Sequence, residues 1–216
     1  MNESRFRGIL TGVIACAALI GPSAQAATSL SVVNAAQIGG SAFGMRVTFD
    51  GTTGNALVQD NTPAGELNYY ATWSMRNLNM TMVANDTHQV LRGLSNTPAA
   101  NTPAFRVQVK RSSSGTNFIL FVWARLDSGA FTAPIQTFVD NQNRLTVEWH
   151  RASAVGANDG SIKLFKGTTM IGQVTGLDND TMAIDSLQMG AFGGVDTGTG
   201  GTQDFDEFVS TRAAQF

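Results

Sequence analysis

The run TQDFDEFVSTR (202–212), almost at the C-terminus, places Asp204, Asp206 and Glu207 within four positions. Two carboxylates held roughly 5–9 Å apart can divide the acid and base work of glycoside hydrolysis. Residues i and i+2 of a strand lie about 7 Å apart on one face, so Asp204 and Asp206 meet that spacing while Glu207 points the other way. The same acids suit a second chemistry, since calcium takes about six to eight hard oxygens from carboxylates, backbone carbonyls and water. GLDND (176–180) adds Asp178 and Asp180, although Asp-Asn-Asp is equally ordinary turn chemistry. The two histidines, His88 and His150, are far apart in sequence. They lack metal-type spacing or an evident serine–acid partnership, so both are expected to be structural.

A third chemistry is sugar recognition, which needs aromatic faces for stacking and planar polar groups for hydroxyls. The alternating segments offer Tyr70, Arg106, Gln108, Lys110, Trp123, Arg125, Glu148 and His150 at outward positions. Trp73 and Trp149 share faces with aliphatic residues and belong to the core. Trp123 stands in NFILFVWARL (117–126), apolar on both faces, so the core is also its expected place. Arg106, Lys110 and Glu148 could equally form cross-strand ion pairs.

The elements that must position these residues are strands. FGMRVTF (43–49), NYYATWSMR (68–76), FRVQVKR (105–111) and RLTVEWHR (144–151) alternate apolar and polar residues with period two, the pattern of half-buried antiparallel strands. Gly-, Pro-, Asn- and Asp-rich clusters such as DGTTGN (50–55), DNTPAG (60–65), SSSGTN (112–117) and VGANDG (155–160) punctuate them. Short strands with such spacing predict an all-β sandwich or barrel. The segment 117–126 reads as a central strand. An outer-membrane barrel is disfavoured, because stepping back by twos from Phe216 puts Arg212 on the lipid face.

The first 26 residues read differently. Arg5 and Arg7 precede the apolar run ILTGVIACAALIG, and Ala24-Gln25-Ala26 forms a small-x-small site. That order is a secretory signal peptide, too short and wrongly flanked for a spanning helix. Cleavage after Ala26 is expected, with secretion or a periplasmic address. A lipobox-like reading around Cys16 is weaker, because Arg7 then sits too close and the apolar region becomes very short. The remaining chain has no cysteine, which excludes disulfides and thiol chemistry. Formal net charge is −2, and lysine occurs only at positions 110, 163 and 166, so neither nucleic acid nor an anionic membrane is an expected partner. The expected division is a signal peptide at 1–26, a lead-in strand at 27–38, one sandwich domain at 39–212 and a tail at 213–216.

WHRASAVGANDGSIKLFKGTTMIGQ (149–173), and MGAFGG (189–194) followed by FDEFVSTR (205–212), resemble the central hairpin and closing strands of laminin G-like, concanavalin A-like jelly rolls. More narrowly, the order GMRV, VQD, PAFRVQV, EWHRAS, DGSIKL, GLDND, GAFGG, FDEFVS resembles a set of secreted bacterial proteins of unassigned function. Ala152 and Arg151 depart from the usual Val and His of the better-known modules. The resemblance implies an antiparallel two-sheet jelly-roll sandwich, and often a structural calcium between the first strands and the last. It carries that site to Asp206, with Asp50 as a possible partner in the turn after the first clear strand. The catalytic patterns of jelly-roll enzymes are missing: there is no Glu-x-Asp-x-x-Glu strand, and THQVL (87–91) has the residues of a Gln-Ile/Val-His strand in the wrong order.

The expected function is a secreted, non-catalytic module for a glycan or other cell-surface ligand, a monomer that calcium could stabilise. The alternatives are a glycoside hydrolase or polysaccharide lyase with an unrecognised site, and a structural cell-envelope protein.

Overall fold

The computed structural model describes residues 28–214. The segment read as a signal peptide, with its cleavage site, lies outside the described residues. Apart from one 3-10 turn at Asn34–Ala36, the regular structure is all β. No helix among the described residues is long and apolar enough to cross a membrane.

Thirteen strands form two antiparallel sheets. The seven-stranded sheet holds β1 (Ser29–Val33), β2 (Gly44–Asp50), β4 (Asn68–Thr81), β9 (Gln142–His150), β10 (Gly160–Lys166), β11 (Thr169–Leu177) and β13 (Gly200–Thr211), in the order β1-β2-β13-β4-β9-β10-β11. The six-stranded sheet holds β3 (Ala56–Asp60), β5 (Thr87–Ser95), β6 (Thr102–Arg111), β7 (Phe118–Ala124), β8 (Ile135–Phe138) and β12 (Ser186–Phe192), in the order β3-β12-β5-β6-β7-β8. Neighbours that are distant in sequence, such as β13 between β2 and β4, make the chain cross repeatedly between the sheets. The C-terminal strand thereby sits inside the seven-stranded sheet.

The period-two alternation places the core between the sheets. Tyr69, Trp73, Met75, Leu145, Val147, Trp149 and Phe205 point inward from one sheet and meet Phe105, Val107, Val109, Leu120 and Val122 from the other, all fully buried. Each large apolar side chain so removed from water contributes about 1.5–3 kcal/mol. Trp73 and Trp149 thus take the core places their neighbours predict.

Trp123 does not. On β7 the inward side chains are Phe118, Leu120, Val122 and Ala124, while Ile119, Phe121 and Trp123 are half-exposed. β7 is paired on both edges, to β6 and β8, as a central strand should be. Its second apolar face lies on the solvent side of the sandwich.

One glycine decides how β12 meets β3. Gly190 has φ of +142°, and a Cβ there would stand 2.2 Å from the Ala56 carbonyl oxygen. Only glycine lets the two backbones approach this closely. Their register then sets Gln188 opposite Gln59.

Candidate functional site

The outer face of the six-stranded sheet carries one row of side chains across five strands. Register places Gln59 (β3) beside Gln188 (β12), Gln188 beside Arg92 (β5), Arg92 beside Arg106 (β6) and Arg106 beside Trp123 (β7). Adjacent strands lie about 4.8 Å apart, so the row spans about 19 Å. Its amide end is a directed chain of hydrogen bonds: Arg92 Nε donates to Gln188 Oε1 at 2.7 Å, and Gln188 Nε2 to Gln59 Oε1 at 2.6 Å. At its aromatic end the Arg106 guanidinium lies 4.8 Å from the Trp123 ring centroid and 4.1 Å from that of Phe131. Trp123 also stacks on Phe121, with centroids 5.5 Å apart and planes 17° from parallel. Arg92 lies 4.8 Å over the Phe192 ring.

Beside this row, Thr87, Gln108, Lys110, Phe121 and Trp123 line an open groove of about 230 Å³. A larger hollow, about 340 Å³, adjoins it at the β8 edge between Ile119, Gln136, Thr137 and Phe138. Burial holds Arg92 and Arg106 below the usual arginine range. Among the described residues, no Asp, Glu, His or Tyr occupies an outward position of β5, β6, β7, β8 or β12. The surface can therefore stack against a ring and donate hydrogen bonds; of the side chains used for general acid–base work, the outward positions of these five strands hold Lys110 and no carboxylate, imidazole or phenol.

Of the residues the sequence singles out for ligand binding, Arg106, Gln108 and Trp123 meet here, with Lys110. Arg125, just past β7, lies close by, its guanidinium 5.8 Å from the Phe131 ring. Tyr70, Glu148 and His150 stand together on the opposite side of the molecule, on the outer face of the seven-stranded sheet. Tyr70 Oη lies 3.3 Å from His150 Nε2, and His150 Nδ1 lies 2.7 Å from Asn68 Oδ1. Glu148 accepts from Lys163 Nζ at 3.1 Å. A neutral imidazole that donates Nδ1–H to Asn68 can accept from the Tyr70 hydroxyl. Burial, with Lys163 adding to it, lowers the His150 pKa. Tyr70 and Glu148 are only 5% and 3% exposed, so this cluster is closed by its own contacts. One ligand does not touch both groups.

Each C-terminal acid has a structural partner. Asp204, 2% exposed, takes Arg46 Nε at 2.7 Å and Arg76 Nη2 at 2.6 Å. Asp206 accepts from Ser41 Oγ, from the Ile38 amide at 2.8 Å and from the Glu207 amide at 2.7 Å. Burial pushes its pKa up, and these bonds outweigh that and leave it lowered. Glu207 breaks the alternation. Its φ is +51° beside the irregularity between Asp206 and Val209, which turns its carboxylate to Ser74 Oγ at 2.7 Å and Arg144 Nη1 at 2.9 Å. It therefore does not point away from its acidic neighbours' face, as an unbroken strand would require.

Asp50 pairs with Gly200 at one end of the β2–β13 ladder. Asp206 lies six residues further along β13, about 20 Å away. Asp50 accepts from Thr52 Oγ1 at 2.7 Å and Thr52 N at 3.0 Å, and these bonds lower its pKa. The two acids do not share an ion. A different set converges where the turn after β11 meets the turn after β7: Asp127, Asp178 and Asp180 each offer a carboxylate oxygen, all within 4.8 Å of one another. Thr181 Oγ1 donates to Asp127 at 2.6 Å and the Gly156 amide to Asp180 at 2.5 Å. These three could hold a metal ion. Asp178 and Asp180 are visible as a turn pair in the sequence, whereas Asp127 lies some fifty residues away and only folding brings it in.

Sequence reasoning also missed Arg92, Phe121, Phe131, Gln59 and Gln188. A signal existed for Phe121, which has the parity of Trp123. None existed for Phe131, which reaches the row through a loop closed by the Arg125–Phe131 bridge.

No protein-family model matches the chain, and no curated protein matches it. Solved structures do. An endo-β-1,4-glucuronan lyase from the fungus Trichoderma reesei aligns with a TM-score of 0.59 at 12% identity, over 84% of this chain and 85% of that one. Cip1, a cellulose-induced protein, aligns with a TM-score of 0.60 at 12% identity, over 89% of each. Alginate lyase A1-II′, a member of polysaccharide lyase family 7, aligns at 0.53 and 9%, over 78% and 79%. At such identities the likeness is one of fold: the chain is an antiparallel jelly-roll sandwich of the concanavalin A-like kind.

Proposed function

We propose that this protein is a secreted, non-catalytic carbohydrate-binding module that takes its ligand on the outer face of the six-stranded sheet. The observation that carries the reading is the Arg106–Trp123–Phe121 stack beside an open groove, on a face whose outward strand positions from β12 to β8 hold no carboxylate, imidazole or phenol. Exposed aromatic planes next to amide and guanidinium donors are what a sugar ring and its hydroxyls require. The likeness in fold to proteins named as polysaccharide lyases and Cip1 supports a carbohydrate ligand. The N-terminal segment supports secretion.

Calcium is part of the reading. Three carboxylates form a hard-oxygen set of the kind that ion prefers, and Asp127 and Asp178 would be its ligands with Asp180. Asp127 begins the turn that leads to Phe131, so an ion there would tie down the loop that covers Arg106.

The test is affinity electrophoresis of the purified protein against a panel of bacterial and plant polysaccharides, with Trp123→Ala alongside. Retardation by one polysaccharide class, lost in the variant, is expected. Retardation unchanged in Trp123→Ala would move the site elsewhere. Release of reducing ends or unsaturated products from the bound polymer would replace the non-catalytic reading with an enzymatic one.

A further inference from the structure

Arg92 and Arg106 are direct cross-strand partners in the middle of the row. Like charges placed opposite each other on neighbouring strands destabilise a sheet. On the other sheet Arg46 and Arg76 stand one strand further apart and have an acid between them, Asp204. Among the described residues, Arg92 and Arg106 have no carboxylate within ion-pair distance. Both guanidinium carbons lie over aromatic rings, Arg92 over Phe192 and Arg106 over Trp123 and Phe131. Arg92 spends its Nε–H on Gln188 Oε1, so the terminal N–H groups of the two guanidinium forks are what a planar or tetrahedral oxyanion would meet. Arg106 Nε is buried and has no hydrogen-bond partner, although a buried donor of this kind ordinarily has one.

We infer that the Arg92–Arg106 pair is an anion-binding centre, so the glycan taken by this face carries carboxylate or sulfate groups. The inference rests on the glycan reading above and names its ligand class. The anionic group sits between the two guanidinium forks. One neighbouring sugar stacks at Trp123 and Phe121, and the next meets the Gln188–Gln59 amides on the other side. A neutral glycan would leave the two cations facing each other without compensation. An anionic one replaces that repulsion with charge-assisted hydrogen bonds.

Isothermal titration of the purified protein with matched polymers tests this. Polygalacturonate is compared with its carboxyl-reduced counterpart, and dextran sulfate with dextran, so the two arms separate carboxylate from sulfate. The expected result is that at least one anionic polymer binds about tenfold or more tightly than its neutral partner, and that added salt weakens it. Arg92→Gln and Arg106→Gln should each lose about tenfold, while Arg144→Gln, on the opposite sheet, binds as the wild type does. Equal binding of charged and neutral polymers, with both variants unchanged, overturns the anion centre and leaves the glycan reading standing. Polyglutamate binding as tightly as polygalacturonate overturns the glycan reading and keeps the anion centre. Absence of binding to every polymer overturns both. Should either variant unfold, the salt titration and the charged-to-neutral comparison on the wild type still decide.

Discussion

Three residues carry most of the chemical argument, each through its surroundings. Trp123 is expected to contribute stacking energy to the ligand rather than packing to the core. Trp123→Ala should leave the thermal midpoint within a few degrees of wild type and weaken glycan binding by roughly 1 kcal/mol, about fivefold; binding titration and thermal unfolding measured together check this. His88 is the opposite case. It is fully buried, with Nε2 3.0 Å from Gln203 Oε1 and no partner for Nδ1. Burial lowers its pKa from 6.5 to about 4, because protonation would place an unpaired N–H and a charge in the core. The folded state therefore binds this proton less readily than the unfolded chain. The stability tied to His88 is fully present above pH 6.5 and is lost as pH falls from there towards 4, by up to about 3 kcal/mol. Urea midpoints at pH 7.5 and 4.5 should differ in that sense for the wild type and differ less in His88→Gln. The third residue, Asp204, pairs with two arginines. Replacing it with Asn should cost about 3–5 kcal/mol, visible as a lower urea midpoint at neutral pH.

At the scale of elements, the deviations from regular strand do the positioning. β13 needs its irregularity to turn Glu207 back to Ser74 and Arg144. Arg46 and Arg76 reach past Asp204 to the Ala35 carbonyl at 3.0 and 2.7 Å, so one buried carboxylate also seats the 3-10 turn on the sheet. β12 needs Gly190 to lie against β3. Gly190→Ala should destabilise by about 1–3 kcal/mol and displace Gln59 from Gln188, so that ligand affinity falls together with the urea midpoint. An unchanged midpoint would mean that β3 can move away at little cost. The strand alternation behind these elements was legible in advance: the segments 43–49, 68–76, 105–111 and 144–151 overlap β2, β4, β6 and β9. The irregularity in β13 was not, because the residues that stabilise Glu207 at positive φ, Ser74 and Arg144, come from β4 and β9.

At the scale of the whole molecule, the two outer faces differ in electrostatic character. The seven-stranded face pairs its charges internally, as Arg46–Asp204–Arg76, Arg144–Glu207 and Lys163–Glu148. The six-stranded face leaves Arg92 and Arg106 without such partners. A weakly acidic chain thus presents a locally cationic, aromatic surface on its six-stranded face. The turns after β7 and β11 close beside that surface through Asp127, Asp178 and Asp180. Calcium at about one hundred times its dissociation constant should add about 2.7 kcal/mol to folding, read as a higher thermal midpoint than in chelator. Asp178→Asn should shrink that increment. Equal midpoints in calcium and chelator would remove the ion from the account.

The sequence by itself determined the class of fold, because period-two alternation and turn punctuation are local properties. It also determined that Trp73 and Trp149 are core, since each shares its strand face with aliphatic neighbours. It named Arg106 and Gln108 as outward candidates, and Trp123 with them although its doubly apolar strand made the core its expected place. It could not separate them from Tyr70, Glu148 and His150, because strand parity says which side of its own sheet a residue faces and not which sheet the strand joins. Strand order in the two sheets made that separation, setting Gln59, Gln188, Arg92, Arg106 and Trp123 side by side from five distant segments. Tertiary structure also decided which cations are neutralised. Asp204 reached Arg46 and Arg76 across paired strands, whereas no acid reached Arg92 or Arg106. Coulombic compensation depends on distance in space, and in a sandwich with crossing connections that distance bears little relation to separation along the chain.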